Sequence, residues 1–188
     1  MLSLINNLPS NLDIIFVAGG ANDFLNSTTQ TLGNLFNIDT QTGKRTLNRD
    51  TSVCGRINEI CITLRKKYPT AIIFLVTPLK VCLSETADGL VNSVYDKSIS
   101  GDFYFEDMNK AFKDASLIHS MPIIDVCGEG IINSAISEMA NVYYTHNWSS
   151  SGGQYADWGP DLTHPTTEGH KVIAKYIKGK LLTFSYLV

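Results

Sequence analysis

The stretch Asp13-Ile14-Ile15-Phe16-Val17-Ala18-Gly19-Gly20-Ala21-Asn22-Asp23 decides how the rest of the chain is read. A short, continuous apolar and β-branched run suits a strand buried on both faces, as in a parallel sheet covered by helices. The two glycines at its end let the backbone turn sharply and approach a ligand closely. Asn22 then falls at the C-terminal tip of the strand, where its amide can donate a hydrogen bond into a cleft. A donor fixed in that way can stabilise an oxyanion, an effect worth about 3 kcal/mol. The same residues also read as a Gly-Asn-Asp turn that merely ends a strand, with Asn22 capping its own backbone. On these residues alone, both readings stand.

Working outward, Ala71-Ile72-Ile73-Phe74-Leu75-Val76-Thr77 is a second strand-like run, stopped by Pro78. Pro122-Ile123-Ile124-Asp125-Val126 is a third, closed by Gly128. Helical stripes fall between and after them. Ile57, Ile60, Cys61 and Leu64 repeat at the helical period and end at Tyr68-Pro69. Phe105, Met108, Phe112 and Ala115 give another stripe, and Val172, Ile173, Tyr176, Ile177 and Leu181 the last. Strand and helix in alternation is the doubly wound α/β pattern. Residues 26–52 and 141–160 are rich in Asn, Thr, Ser and Gly and are expected to be long loops. Both follow the C-terminal side of a strand, where open α/β sheets bind ligands.

Composition bounds the function. The 188 residues fit one domain, 1–188, with 44% hydrophobic and 18% charged residues, an ordinary globular mixture. A net charge of −3 with scattered Lys and Arg gives no footprint for nucleic acid. The densest basic cluster, Arg65-Lys66-Lys67, belongs on the solvated end of a helix. No apolar run approaches the roughly 18 residues needed to span a bilayer. The first residues lack the basic start and long apolar stretch of a signal peptide, which leaves the compartment open. Cys54, Cys61, Cys82 and Cys127 form no C-x-x-C pair and have no His at zinc spacing, so buried reduced thiols are expected and no metal site. His119 and His146 have no evident acidic or cysteine partner, and His170 is expected to pack beside the start of the last helix.

The second chemical signal is Asp161-Leu162-Thr163-His164-Pro165, followed by Glu168-Gly169-His170. Asp and His three apart can face each other across one tight turn. The carboxylate then holds Nδ1–H of the imidazole and leaves Nε2 free as a general base. Pro165 and Thr166 suit a helix start directly after the histidine. An Asp-capped turn with an incidental surface His is the bland alternative.

Taken together, the two blocks resemble the SGNH/GDSL-type hydrolases, over nearly all of the chain. Gly20-Ala21-Asn22-Asp23 is similar to that family's G-x-N-D block, and Asp161-Leu162-Thr163-His164-Pro165 to its D-x-x-H-P block. Tyr68-Pro69, Thr77-Pro78 and Gly169-His170 match its usual spacing and order. The resemblance implies a three-layer α/β/α sandwich with a parallel, flavodoxin-like sheet. It implies ester hydrolysis through a Ser-Asp-His triad, with His164 as general base and then acid and Asp161 orienting it. Asn22, with Gly20 beside it, would belong to the oxyanion site. No cofactor is required. The substrate would be a carboxylic ester on a lipid or carbohydrate, with a small O-acyl group on a glycan preferred from the polar, aromatic loop. In that loop Tyr155 and Trp158, with Trp148, could form a platform for a sugar ring or acyl group, or could simply pack the loop onto the domain.

One departure from the family matters. Its G-D-S block, which carries the nucleophile, and its oxyanion glycine block both precede G-x-N-D, yet only 19 residues precede Gly20 and none form such a motif. Downstream, Gly101-Asp102 is followed by Phe103. Ser149-Ser150-Ser151 lies in a polar loop, and a nucleophile needs a rigid turn within reach of its base. The expectation is therefore a domain whose N-terminal strands are missing, with Met1 an internal methionine of a longer protein, or else completed by a partner segment. The physical reason is that a sheet built from the strands present would expose an apolar edge at residues 13–18. Two rivals remain: a non-catalytic relative that binds carbohydrate in the same cleft, and a flavodoxin-like binder of small anions.

Overall fold

The computed structural model describes residues 2–25, 30–79, 102–129, 131–132, 137–146 and 160–184. The chain forms two compact units, Met1–Pro78 with Lys97–Ile124, and Leu79–Asp96 with Asp125–Val188. Within the first, chain order runs α1 (Leu2–Asn6), β1 (Ile14–Ala18), α2 (Ala21–Leu25), β2 (Phe36–Ile38), β3 (Arg45–Leu47), α3 (Val53–Lys67), β4 (Ile72–Val76), α4 (Phe105–Ile118) and β5 (Ile123–Ile124).

The three strand-like runs form one parallel sheet in the order β1-β4-β5, as an α/β pattern requires. Ile14 to Ala18 pair in step with Ile72 to Val76. Leu75 and Val76 pair with Ile123 and Ile124. Central β4 is buried on both faces, with Ile73, Phe74 and Leu75 at most 1% exposed. Strand β1 departs from the expectation of two buried faces. Ile15 and Val17 are buried, whereas Ile14 and Phe16 are 45% and 43% exposed. Among the described residues β1 pairs only with β4, so it stands at the sheet's edge, as its exposed apolar character anticipated. Phe16 finds partial cover by stacking on Phe74, ring centroids 5.4 Å apart. The third run is shortened to two residues because Asp125 Oδ1 accepts from the Gly128 amide at 2.7 Å and turns the chain.

The helices follow their stripes. On α3, Val53, Cys54, Ile57, Ile60, Cys61 and Leu64 are buried, and Ser52 caps the first turn by accepting from the Gly55 amide at 3.2 Å. Burial pushes the Cys54 thiol up to about 11 and the Cys61 thiol to about 12, so both stay protonated and unreactive at neutral pH. On α4, Phe105, Met108, Phe112 and Ala115 are buried. Lys67 Nζ, in the last turn of α3, donates to the carbonyls of Ile5, Asn6 and Leu8 and closes the C-terminal end of α1.

Residues 26–52, expected as an irregular loop, contain an antiparallel hairpin in which Phe36 pairs with Leu47 and Ile38 with Arg45. Its turn is held by Asp39, whose Oδ1 accepts from the amides of Gln41 and Thr42. Asn58 ties this segment to the unit. Fully buried on α3, it donates from Nδ2 to the carbonyls of Leu35 and Asn48, both at 2.8 Å. Its Oδ1 is then left to accept, and it meets His119 Nε2 at 2.8 Å. His119, which has no acidic or cysteine partner evident in the sequence, is therefore a structural donor protonated on Nε2, and partial burial lowers its pKa.

In the second unit, α5 (Ser137–Tyr143) leads into β6 (Tyr144–His146), which runs antiparallel to β7 (Pro160–Pro165) ahead of α6 (Thr167–Phe184). Ile132 and Tyr144 are fully buried, with Leu79, Tyr143, Val172 and Ile173 packed around them. Asp161 and His164, expected on a tight turn, lie within β7, which pairs with β6 at Pro160 and Pro165 and shifts register between them. The helix does start where the sequence placed it, with Thr166 Oγ1 accepting from the Gly169 amide at 3.1 Å. Trp148, Tyr155 and Trp158 lie outside the described residues, as do Cys82 and Gly101. Among the described residues no helix is long and apolar enough to cross a membrane.

Candidate functional site

The first unit carries Gly20 and Asn22 at the C-terminal tip of β1. Gly20 adopts φ +101°, a left-handed conformation that L side chains rarely enter. A Cβ there would also stand 3.0 Å from Met108 Sδ and 3.4 Å from both Phe112 and Pro78. The backbone angle calls for glycine here, and the contact with Met108 leaves a side chain little room. The Gly20 carbonyl accepts from the Phe24 amide at 3.1 Å, which starts α2 directly off the strand.

What anchors α2 is Phe24, 1% exposed, with its ring edge-on to Phe105 at 5.1 Å and to Phe103 at 6.1 Å. Asn22 sits in this short helix. Asp23, in the same helix, pairs with Arg56 of α3 at 3.5 Å. Sequence reading missed Arg56 and Phe24 because neither belongs to a motif. Only the packing of α2 against α3 and α4 gives them a place beside Gly20.

A cavity of about 490 Å³ opens in this unit beside the strand tip. Gly19, Gly20, Asp23 and Arg56 line its polar part, and Val17, Leu75, Ile57 and Ile60 its apolar part. Among the described residues no cluster of His, Cys, Asp and Glu could hold a metal ion.

The second unit carries Asp161 and His164 on β7. His164 is exposed, and the backbone just beyond it is firmly held. The Thr166 amide donates to the Tyr143 carbonyl at 2.7 Å, and Thr166 Oγ1 donates to the Val142 carbonyl at 3.1 Å. Gly169 is buried so tightly that a Cβ would meet the Tyr143 carbonyl oxygen at 2.4 Å. His170, expected to pack, is exposed on the first turn of α6.

No protein-family model matches the sequence, and no curated protein matches it. Solved structures do. A protein from Lactobacillus plantarum superposes with a TM-score of 0.68 at 20% identity, over 97% of this chain and 73% of its own. A possible lipase from Chitinophaga pinensis superposes with a TM-score of 0.60 at 19% identity, over 93% of this chain and 73% of its own. These likenesses show a shared fold. A parallel sheet with flanking helices is the α/β fold expected from the sequence.

Proposed function

We propose that this chain is the acid–base and oxyanion portion of a serine-type ester hydrolase. In this reading His164 is the general base and then the general acid, and Asp161 orients its ring. Asn22 and the Gly20 turn serve the oxyanion, and the nucleophilic serine comes from sequence outside this chain. The observation that carries the reading is the glycine-only turn at Gly20, which starts a pinned helix bearing Asn22 directly at a strand tip. Hydrogen-bond donors fixed ahead of the reaction are what an oxyanion site needs, since they cost no reorganisation as charge develops. The likeness in fold to a possible lipase agrees with it.

The chemistry would be acyl transfer. The serine Oγ attacks the ester carbonyl as His164 Nε2 takes its proton, and the tetrahedral oxyanion is held by the donors at the strand tip. The proton then passes to the leaving alcohol, and water repeats the cycle to free the acid. For the acyl-carrying partner, an O-acylated glycan or lipid ester fits a neutral carboxylic ester substrate.

The test is to extend the coding sequence upstream in frame and assay the longer protein on p-nitrophenyl esters. The reading expects an in-frame Gly-Asp-Ser after a strand-like run, and turnover that His164→Ala lowers by about 10⁴-fold or more. Asn22→Ala should cost on the order of 10²-fold. The 188 residues alone should show no turnover above background. An upstream frame without such a serine, or turnover indifferent to His164→Ala, would overturn the reading.

A further inference from the structure

We propose that the groove between β2 and α4 docks an extended acidic peptide, added as a strand to the free side of the hairpin. None of the residues that line this groove lines the cavity beside Gly20, so the site is a separate surface of the first unit.

The groove measures about 890 Å³ and lies wholly within the first unit. The unbroken run of residues 32–38 forms one wall, and Asp107, Lys110, Asp114, Leu117 and Ile118 of α4 form the other. Side chains of a strand alternate between its faces, so an unbroken run lines a groove with its edge. The hydrogen bonds agree. The Leu35 carbonyl accepts from the Asn48 amide at 3.0 Å, and the Asp39 amide donates to the Lys44 carbonyl at 2.9 Å. Asn37 lies between them, paired with Thr46, so residues 35, 37 and 39 turn their main chain toward β3. Phe36 and Ile38 turn theirs the other way, to the groove side. Among the described residues β2 has no strand there. Main-chain donors and acceptors along an unpaired edge are a template for another extended chain.

Side chains on the two walls define the partner further. Ile38 is 57% exposed and Leu117 80% exposed, one on each wall, where they can cover alternate apolar side chains of an added strand. Charge decides the rest. On α4, Lys110 pairs with Asp114, and the Asp107 carboxylate accepts from the Tyr104 amide at 2.9 Å. On the hairpin, Arg45 lies 5.8 Å from the centroid of the Phe36 ring. Among the described residues no carboxylate pairs with Arg45. A carboxylate on the incoming chain supplies the missing partner. The free main-chain groups thus select a peptide, and Arg45 selects an acidic one.

The test titrates the 188-residue chain into the peptide Glu-Thr-Val-Thr-Val-Thr-Glu, dye-labelled at its N-terminus and amidated at its C-terminus. Fluorescence anisotropy gives the affinity, and NMR of the protein locates the contact. The peptide should bind about tenfold tighter than Lys-Thr-Val-Thr-Val-Thr-Lys, and Arg45→Glu should erase that preference. Methylating alternate peptide nitrogens separates strand addition from loose apolar contact. One alternating set should abolish binding, and the other, which faces away from β2, should leave it intact. The amide resonances of Phe36 and Ile38 should shift, together with the methyls of Leu117 and Ile118. Equal affinity for the two peptides, indifference to both methylation patterns, or shifts confined to β1 would overturn the assignment. If the Phe36 and Ile38 amides instead move with protein concentration alone, a second copy is the occupant and the peptide assignment falls. All but one of these readouts use the unsubstituted chain, so they decide the matter even where Arg45→Glu fails to fold.

Discussion

At the scale of single residues, Asn58 does the most to join segments distant in sequence. Its amide joins Leu35, Asn48 and His119, spanning the hairpin segment, α3 and the end of α4. Nothing in the sequence around Asn58 announces this, because the helical stripe on α3 is apolar and a polar residue within it reads as surface. Burial turns it into an obligation, since each carbonyl left unpaired costs desolvation energy. Asn58→Leu, with the same branched skeleton but without donors, should therefore destabilise the fold by about 2–4 kcal/mol. Chemical denaturation followed by circular dichroism measures it, and a change near zero would mean that the freed carbonyls find other partners.

At the scale of elements, two glycines inside helices make opposite predictions. Gly55 lies in the first turn of α3, where a Cβ would stand 2.4 Å from Asp50 Oδ1 and 2.5 Å from the Asp50 carbonyl oxygen. Backbone so close cannot give way cheaply, so Gly55→Ala should cost about 1–3 kcal/mol despite alanine's better helix propensity. Gly179 on α6 has open space around it, and Gly179→Ala should stabilise by about 0.5–1 kcal/mol through the unfolded chain. Thermal melts of the two variants check the contrast, which fails if both move the same way. The hairpin of β2 and β3 shows why short elements escape sequence reading. Three-residue strands carry too few alternations to be told from a loop, and pairing alone makes them strands.

For the whole molecule, the first unit presents on β1 an apolar face and an edge that is unpaired among the described residues. Ile14 and Phe16 expose apolar area on a strand that, among the described residues, pairs on one side only. Such an edge is a template for another chain. The 188-residue chain should self-associate with rising concentration in sedimentation velocity, and the double variant Ile14→Lys, Phe16→Lys should remain monomeric. A monomer at all concentrations without substitution would show that the edge is adequately protected as it stands.

The parallel α/β class and the order of β1, α3, β4, α4, β5 and α6 were legible in the sequence. Continuous apolar runs and helical stripes are one-dimensional records of burial, and the G-x-N-D and D-x-x-H-P spacings are local. The same local logic correctly started α6 after Pro165. What only the tertiary structure decided was whatever depends on distant segments meeting. That Asp161 and His164 fall within β7, where its pairing with β6 shifts register, depended on β6 being there to pair. Gly20 was readable as a turn, but its tight fit against Met108, Phe112 and Pro78 was not. The cavity beside it is lined from α1, β1, α3, β4 and α4, and packing of that kind leaves no periodic trace in the sequence.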